Sequence, residues 1–360
     1  MADNQLFAST TYLNAAPGAA LLEDAPVDGP GGYTAAKRLL LFSGRSNVDL
    51  AERIAARLKV SLGEQTVKTF ASGEIYVRYD ESIRGADVFI VQSFAPSDGM
   101  SVNDFLMELF IMVDAAKLGS AKRITAVLPL FPYARQDKKS RPREPITARL
   151  VSTLLEAAGV DRVLTMDLHA GQVQGFFDGP VDHMTALPMF AQHFRDQGMA
   201  GEGVCVVSAD TGRTKLAKKF AEMLDASLAI ISKDRPTHNV AEVIDIIGAE
   251  KVRGRIAIIS DDMIDTAGTL CAGAEAVKRA GAAQVVACAT HPIFSEPALE
   301  RIANSALDLV VVGDTVPVDI LRKPDNVVVL PVDGILAQTI DNIFREGSVS
   351  EIFGGENQLF

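Results

Sequence analysis

The chain has 360 residues, 48% of them hydrophobic and 22% charged, with 28 glycines, 16 prolines and no tryptophan. That length favours two domains of ordinary size, each with a real core, and the composition excludes a collagen, a disordered chain and a disulfide-stapled miniprotein. A net charge of −11 and a pI of about 5.0 exclude nucleic acid as a general partner, because the field of the whole chain repels it.

The first 36 residues, rich in Ala, Gly, Pro and Asp, lack sustained periodicity and read as a flexible extension. Their start, MADNQLFAST, lacks the basic-then-apolar layout of a secretory signal, and no run of about eighteen apolar residues follows. The expectation is a cytoplasmic protein with no membrane partner. From Arg38 onward, short β-rich runs alternate with amphipathic stretches. RLLLFSG is followed by a helix from about Asn47 to Leu58, then by TVKTF and DVFIVQS, a helix from about Asn103 to Leu118, and RITAVLPL. A helix from about Ile146 to Ala158 and the strand RVLTMDL complete this half, and a Gly/Pro/Asp-rich stretch sets a boundary near residue 187.

The second half reads VCVVS, a helix from about Thr214 to Leu224, SLAIIS, RIAIIS, a helix from about Ala267 to Ala280, QVVACAT, LVVVGD and NVVVLP. Such continuous apolar strands suit a parallel sheet covered on both faces, so the fold class is α/β. The divisions are 37–187, 188–333, a helix over 334–347 that packs back on the first domain, and a tail over 348–360. Residues 114–127 resemble 275–288, each a helix end followed by a strand, which points to two related domains or to the shared grammar of α/β units. The same offset carries 261–269 onto 100–108, where the acid pair and the glycine are missing. Cys205, Cys271 and Cys288 lie in apolar segments without a CxxC pair and read as core thiols.

The sharpest chemical signal is IAIISDDMIDTAGTL at 256–270, an apolar strand ending in Asp261 and Asp262, then Asp265, Thr266, Ala267, Gly268 and Thr269 opening a helix. Small residues there let backbone amides and the helix dipole meet a phosphate, while the two carboxylates accept hydrogen bonds from vicinal sugar hydroxyls. The bland alternative is a strand closed by Asp-Asp and a helix capped by Asp265 or Thr266.

This run resembles the ribose-phosphate loop of the type I phosphoribosyltransferase fold. Together with FASGEI at 70–75, YARQDKK at 133–139, MDLHAGQVQGFFD at 166–178 and KDRP at 233–236, the chain is similar to the ribose-phosphate pyrophosphokinases over about residues 38 to 350, to their class I type. The resemblance implies two tandem phosphoribosyltransferase-like domains, each a mainly parallel sheet flanked by helices. It also implies a reaction: the diphosphoryl group of MgATP moves to the 1-hydroxyl of ribose 5-phosphate, giving 5-phosphoribosyl 1-diphosphate (PRPP) and AMP for nucleotide, histidine and tryptophan biosynthesis.

By the same resemblance Lys233 and Arg235 are catalytic, on a loop after the strand SLAII that closes on the phosphates. Phe70, Ser72, Gly73, Glu74, Arg135 and Gln136 bind ATP, the first four from across a subunit interface, and Arg235, Asp261, Asp262 and residues Asp265 to Thr269 bind ribose 5-phosphate. His169 and Asp210 hold Mg²⁺ carried on ATP, with a second free Mg²⁺ an open alternative. A hexamer, inorganic phosphate as activator and ADP as allosteric inhibitor also come with the family.

Ser72, where relatives often carry Asp or Asn, and Asp234, where they carry a basic or small residue, depart from the pattern, as do the extra residues around 97–100 and the terminal ENQLF. Asn4-Gln5-Leu6-Phe7 recurs as Asn357-Gln358-Leu359-Phe360, a docking motif or a chance repeat. His183, His193, His238 and His291 lack ligand spacing and read as structural or surface residues. Two other functions stay open on sequence: a phosphoribosyltransferase that consumes PRPP, and a non-catalytic regulatory subunit.

Overall fold

The computed structural model describes residues 20–22, 37–234 and 243–353, and in it the apolar runs become two large sheets and a hairpin. The first half supplies β1 (Ala20–Leu22), β2 (Lys37–Ser43), α1 (Val48–Leu58), β3 (Gln65–Thr69), β4 (Ile75–Tyr79) and β5 (Asp87–Val91). It continues through α2 (Val102–Leu118), β6 (Arg123–Leu128), α3 (Thr147–Ala158), β7 (Arg162–Met166) and β8 (Val181–Met184). Its sheet has the order β1-β2-β5-β6-β7-β8 and is parallel except for β1. β3 and β4 stand apart as an antiparallel hairpin.

The second half comprises α4 (Leu187–Asp196), β9 (Val204–Ser208), α5 (Thr214–Met223), β10 (Ser227–Asp234), β11 (Val243–Ile247) and β12 (Ile256–Ile264). After these come α6 (Gly268–Arg279), β13 (Gln284–Pro292), α7 (Ala298–Ala303), β14 (Leu309–Gly313), β15 (Val327–Leu330) and α8 (Asp333–Phe344). The sheet order is β11-β10-β9-β12-β13-β14-β15, with only β11 antiparallel.

The reason these runs become central strands is visible in their burial: β5 and β9 are buried at every position, as a sheet covered on both faces demands. Helix α1 shows the complementary pattern, burying Leu50, Ala51, Ile54 and Ala55 along one stripe. One apolar cluster, including Leu39, Phe89, Phe190, Val206, Phe220 and Ile258, takes residues from both sheets and joins the two halves. Separate clusters cover the outer faces, with Phe42 and Phe105 on one side and Val207 and Val277 on the other. α8 lies against α1, where Arg57 pairs with the buried Asp333.

Three details correct the sequence reading. The extension is not wholly irregular, since β1 pairs antiparallel with β2; the rest of residues 1–36, including Asn4 to Phe7, lies outside the described residues, as do Asn357 to Phe360. β12 runs two residues beyond the acid pair, so Asp261 and Asp262 are strand residues rather than its end. β10 likewise continues through Lys233, which pairs with Ile244. The physical cause is shared: an adjacent strand offers ladder hydrogen bonds that outweigh the polar character of the side chains.

The extra residues at 97–100 form a tight turn, with Asp98 and Gly99 both at positive φ and Ser97 bridged to Met100. Cys205 and Cys288 are buried and Cys271 is half-buried, all three as free thiols. Among the described residues no helix is long and apolar enough to cross a membrane.

Candidate active site

Adjacent strand residues face opposite ways, and on β12 this separates the two acids. Asp262 is buried, while Asp261 keeps a quarter of its side chain exposed. The Asp262 Oδ2 forms an ion pair with Arg213 Nη2 at 2.6 Å and lies 2.8 Å from His169 Nδ1. Asp261 Oδ1 stands 3.4 Å from Arg213 Nε. Burial, reinforced by the charge of Asp262 next door, pushes the Asp261 carboxyl upward. Burial acts the same way on Asp262, but the His169 hydrogen bond and the Arg213 charge overcome it and hold that carboxyl well below the usual carboxylate range.

The loop after β12 opens α6 with Ala267 at φ +58 and no side-chain cap. The first-turn amides of a 12-residue helix are thereby left for an external acceptor. Arg301 Nη1 donates to the Thr266 carbonyl at 2.9 Å and fixes the loop from behind. A Cβ at Gly268 would come 3.3 Å from the same nitrogen, a tight contact that the Arg301 side chain would have to yield to. Asp265 receives Arg135 Nη1 at 2.6 Å. Partial burial works against ionisation of Asp265, yet hydrogen bonds from Ser295 and Arg135 lower its pKa overall.

Arg135, His169, Asp210 and the run from Asp261 to Leu270 line one cavity of about 310 Å³. Segments that lie far apart in sequence, after β6, after β7, after β9 and along β12, therefore converge at strand C-termini, where open α/β sheets bind ligands. Asp210 uses Oδ1 to accept the Arg213 backbone N–H at 3.0 Å, capping a short 3₁₀ turn over Thr211–Arg213. A smaller cavity of about 20 Å³, the size of one water, lies behind the acid pair between Asp167, Arg213, Ser260 and Thr290.

The donor set suits a Mg²⁺ that arrives on a nucleotide. Mg²⁺ prefers oxygen, keeps several waters and takes substrate phosphates as ligands. Among the described residues no group of three or more His, Cys, Asp or Glu could hold a metal by itself. His169, with Nδ1 on Asp262, has its ring oriented by a carboxylate, as metal-bound histidines commonly do, which leaves Nε2 for a ligand.

The other anticipated residues lie elsewhere. Phe70, 46% exposed, sits at the tip of the β3–β4 hairpin, its ring edge-on to Tyr76 at 5.9 Å. Gly73 takes φ +91 in that turn, and Ser72 Oγ donates to Glu74 at 2.9 Å. None of these four lines the cavity, and neither does the exposed Gln136, whose side chain accepts from Thr147 Oγ1. Lys233 is on β10 and Arg235 lies outside the described residues.

Two residues escaped sequence reasoning. Arg213 belongs to no motif that the sequence reading singled out. Asp167 sits inside MDLHAG at φ +33, a sparsely populated conformation. Its carboxylate accepts from Ala186 N–H and Thr290 Oγ1, tying β7 to β13. That non-glycine strain has no composition signal; only the motif hinted at it. His183 and His291 are buried, as structural residues should be.

Comparison with known proteins places this geometry. A family model described as the N-terminal domain of ribose phosphate pyrophosphokinase matches residues 39–159, and one described as the phosphoribosyl synthetase-associated domain matches residues 232–354. A ribose-phosphate pyrophosphokinase of Fusobacterium nucleatum is 50% identical over 87% of this chain and 97% of its own length. One from Corynebacterium efficiens is 47% identical over 89% and 97%. The crystal structure of phosphoribosylpyrophosphate synthetase from Mycobacterium smegmatis superposes with a TM-score of 0.79 at 44% identity, covering 86% of this chain and 99% of that one. With near full-length coverage at this identity, and with the acid loop, His169 and Asp210 around one cavity, the chain belongs to the ribose-phosphate pyrophosphokinase family.

Proposed function

We propose that this chain transfers the diphosphoryl group of MgATP to the 1-hydroxyl of ribose 5-phosphate, releasing AMP and PRPP. The observation that carries the reading is the single cavity shared by the uncapped α6 loop, the acid pair, His169, Asp210 and Arg135. A phosphoribosyltransferase needs only the loop; the nucleotide and metal residues across the cavity favour the synthetase. The intact acid pair and His169 likewise favour catalysis over a purely regulatory subunit.

The sugar 5-phosphate takes the open amides of Thr266 to Thr269, and Asp261 and Asp265 face the ribose hydroxyls. The 1-hydroxyl oxygen attacks the β-phosphorus as its proton passes to solvent, and the bond from that phosphorus to the α,β-bridging oxygen breaks to release AMP. Lys233 and Arg235 stabilise charge gathering on the transferring oxygens, and Arg135 with Gln136 receives the adenine. Mg²⁺ held through His169 Nε2 and Asp210, when bound, neutralises phosphate charge and polarises the β-phosphorus. A second free Mg²⁺, activation by inorganic phosphate and inhibition by ADP belong to the same reading, as do the divisions near residues 37, 187 and 333 and a cytoplasmic setting. The exposed hairpin with Phe70, Ser72, Gly73 and Glu74 serves a neighbouring subunit in a homo-oligomer, a hexamer.

Phosphorus NMR of the purified protein with ATP, Mg²⁺, ribose 5-phosphate and inorganic phosphate tests this. Equal appearance of AMP and PRPP is expected. Intact ATP across a range of phosphate and Mg²⁺ concentrations would bring the regulatory-subunit reading forward.

A further inference from the structure

Four of the proposed site residues come from three separate segments, and one residue touches all of them. Arg213 binds Asp210 through its backbone N–H at 3.0 Å and Asp262 through Nη2 at 2.6 Å. It reaches Asp261 with Nε at 3.4 Å and the His169 carbonyl with Nη2 at 3.2 Å. Its side chain is only 11% exposed. A planar guanidinium offers several donors in a fixed fork, which suits a side chain that must reach two adjacent acids and the carbonyl of the segment after β7 at once.

We infer that Arg213 is a positioning residue for ribose 5-phosphate: it locks Asp262, which the strand already turns inward, as the support of His169 and so keeps the more exposed Asp261 presented to the sugar at the cavity wall. The burial pattern is what such a device requires, with Asp262 at 3% exposure and Asp261 at 25% of its side chain. Arg213 does not line the substrate cavity; it lines the small one behind the acid pair. It therefore acts through the acids and not on the substrate. Without the fork, two neighbouring carboxylates share one buried space with no counter-charge, and the pair must reorient or take up a proton.

The inference rests on the synthetase reading, and its test separates the two. The parent protein is first shown to make AMP and PRPP; failure there sinks the function and not Arg213 in particular. In Arg213→Met and Arg213→Lys, the Michaelis constant for ribose 5-phosphate is expected to rise at least tenfold. That for MgATP should stay within about threefold, and the lysine variant should recover only part of the loss because it keeps the charge and lacks the fork. Mn²⁺ binding in the presence of ATP, followed by electron paramagnetic resonance, should weaken by less than the sugar constant. Arg213→Lys guards against misfolding of the methionine variant, and Asp262→Asn, which removes the shared carboxylate charge at constant size, should likewise raise the sugar constant. Unchanged sugar constants in Arg213→Lys and Asp262→Asn would overturn the assignment. Parallel losses for sugar, nucleotide and Mn²⁺ would also overturn it, by reducing Arg213 to general structural support.

Discussion

The two sheets share one plan and differ at one corner. β2-β5-β6-β7-β8 and β9-β12-β13-β14-β15 are both parallel with the same connectivity, and α2 links β5 to β6 as α6 links β12 to β13. α2 begins with a capping box in which Ser101 and Asp104 satisfy each other's backbone donors. α6 begins at Ala267, left-handed and without a side-chain cap, just past two carboxylates. The first helix end answers its own amides; the second leaves them for a ligand. On the function proposed above, an anion site arises on this plan by withholding a cap, with Arg301 and Arg213 holding the open corner in shape.

The comparison can be broken first where the second sheet has an element with no partner. The β10–β11 hairpin carries Lys233, and Lys233→Ala should lower turnover by roughly 10²–10³, the scale of losing one transition-state donor, with no change in the thermal midpoint. Steady-state kinetics with a melting curve decides it, and parent-like turnover would remove Lys233 from catalysis. Next, Asp265→Ala removes a charge-assisted acceptor worth about 1.5–3 kcal/mol, so the ribose 5-phosphate Michaelis constant should rise by roughly one to two orders of magnitude. If that constant and turnover both hold, the sugar clamp is wrong.

A gentler test makes the second corner resemble the first. Ala267→Asp suits a left-handed position and puts a carboxylate at the open helix end, where competition with the sugar phosphate should cost about 1 kcal/mol and raise that Michaelis constant several-fold. An unaltered constant would mean the phosphate sits elsewhere.

Among the described residues each half also buries one histidine, His183 in β8 and His291 in β13, and burial lowers the pKa of both. For His183 the value falls from 6.5 to about 4, with the Asp167 charge opposing. Between those values the unfolded chain binds the proton and the folded one does not, so stability is complete above pH 6.5 and is lost as pH falls toward 4. Denaturant titrations across that window should show His183→Gln with a shallower decline than the parent; an identical slope would refute the assignment. The smallest effect belongs to the first sheet: Ser101→Ala deletes a cap worth about 1 kcal/mol, lowering the midpoint by roughly 2–4 °C while both Michaelis constants stay put. A shift in either constant would mean that this corner, too, touches substrate.

Much of the fold was legible because its signals are local. Continuous apolar runs named the strands, and the stripe of Leu50, Ala51, Ile54 and Ala55 named α1. Among the strands so named, ends slipped where a neighbouring strand extended pairing through polar residues, at Lys233 and at the acid pair, and short elements such as β4, β8, β11, α4 and α7 were not named at all. In the site, the 261–269 run, His169 and Asp210 were readable from their motifs, whereas Arg213 was not. Its importance comes from three distances to groups up to 49 residues away in the chain, and an isolated arginine beside a helix start carries no mark of that.

By itself the sequence determined the α/β class, most of the central strands and long helices, and the chemical kinds of group at hand, since periodicity and small-residue loops act over a few residues; it passed over β1, β4, β8, β11, α4 and α7. The tertiary structure alone decided which acid of the pair stays partly exposed and which is buried against Arg213 and His169. It also decided that Asp265 meets Arg135 across the two halves, and that Asp167 and Thr290 tie one sheet to the other. Such choices depend on strand register and on desolvation, and both are set only when distant segments pack together.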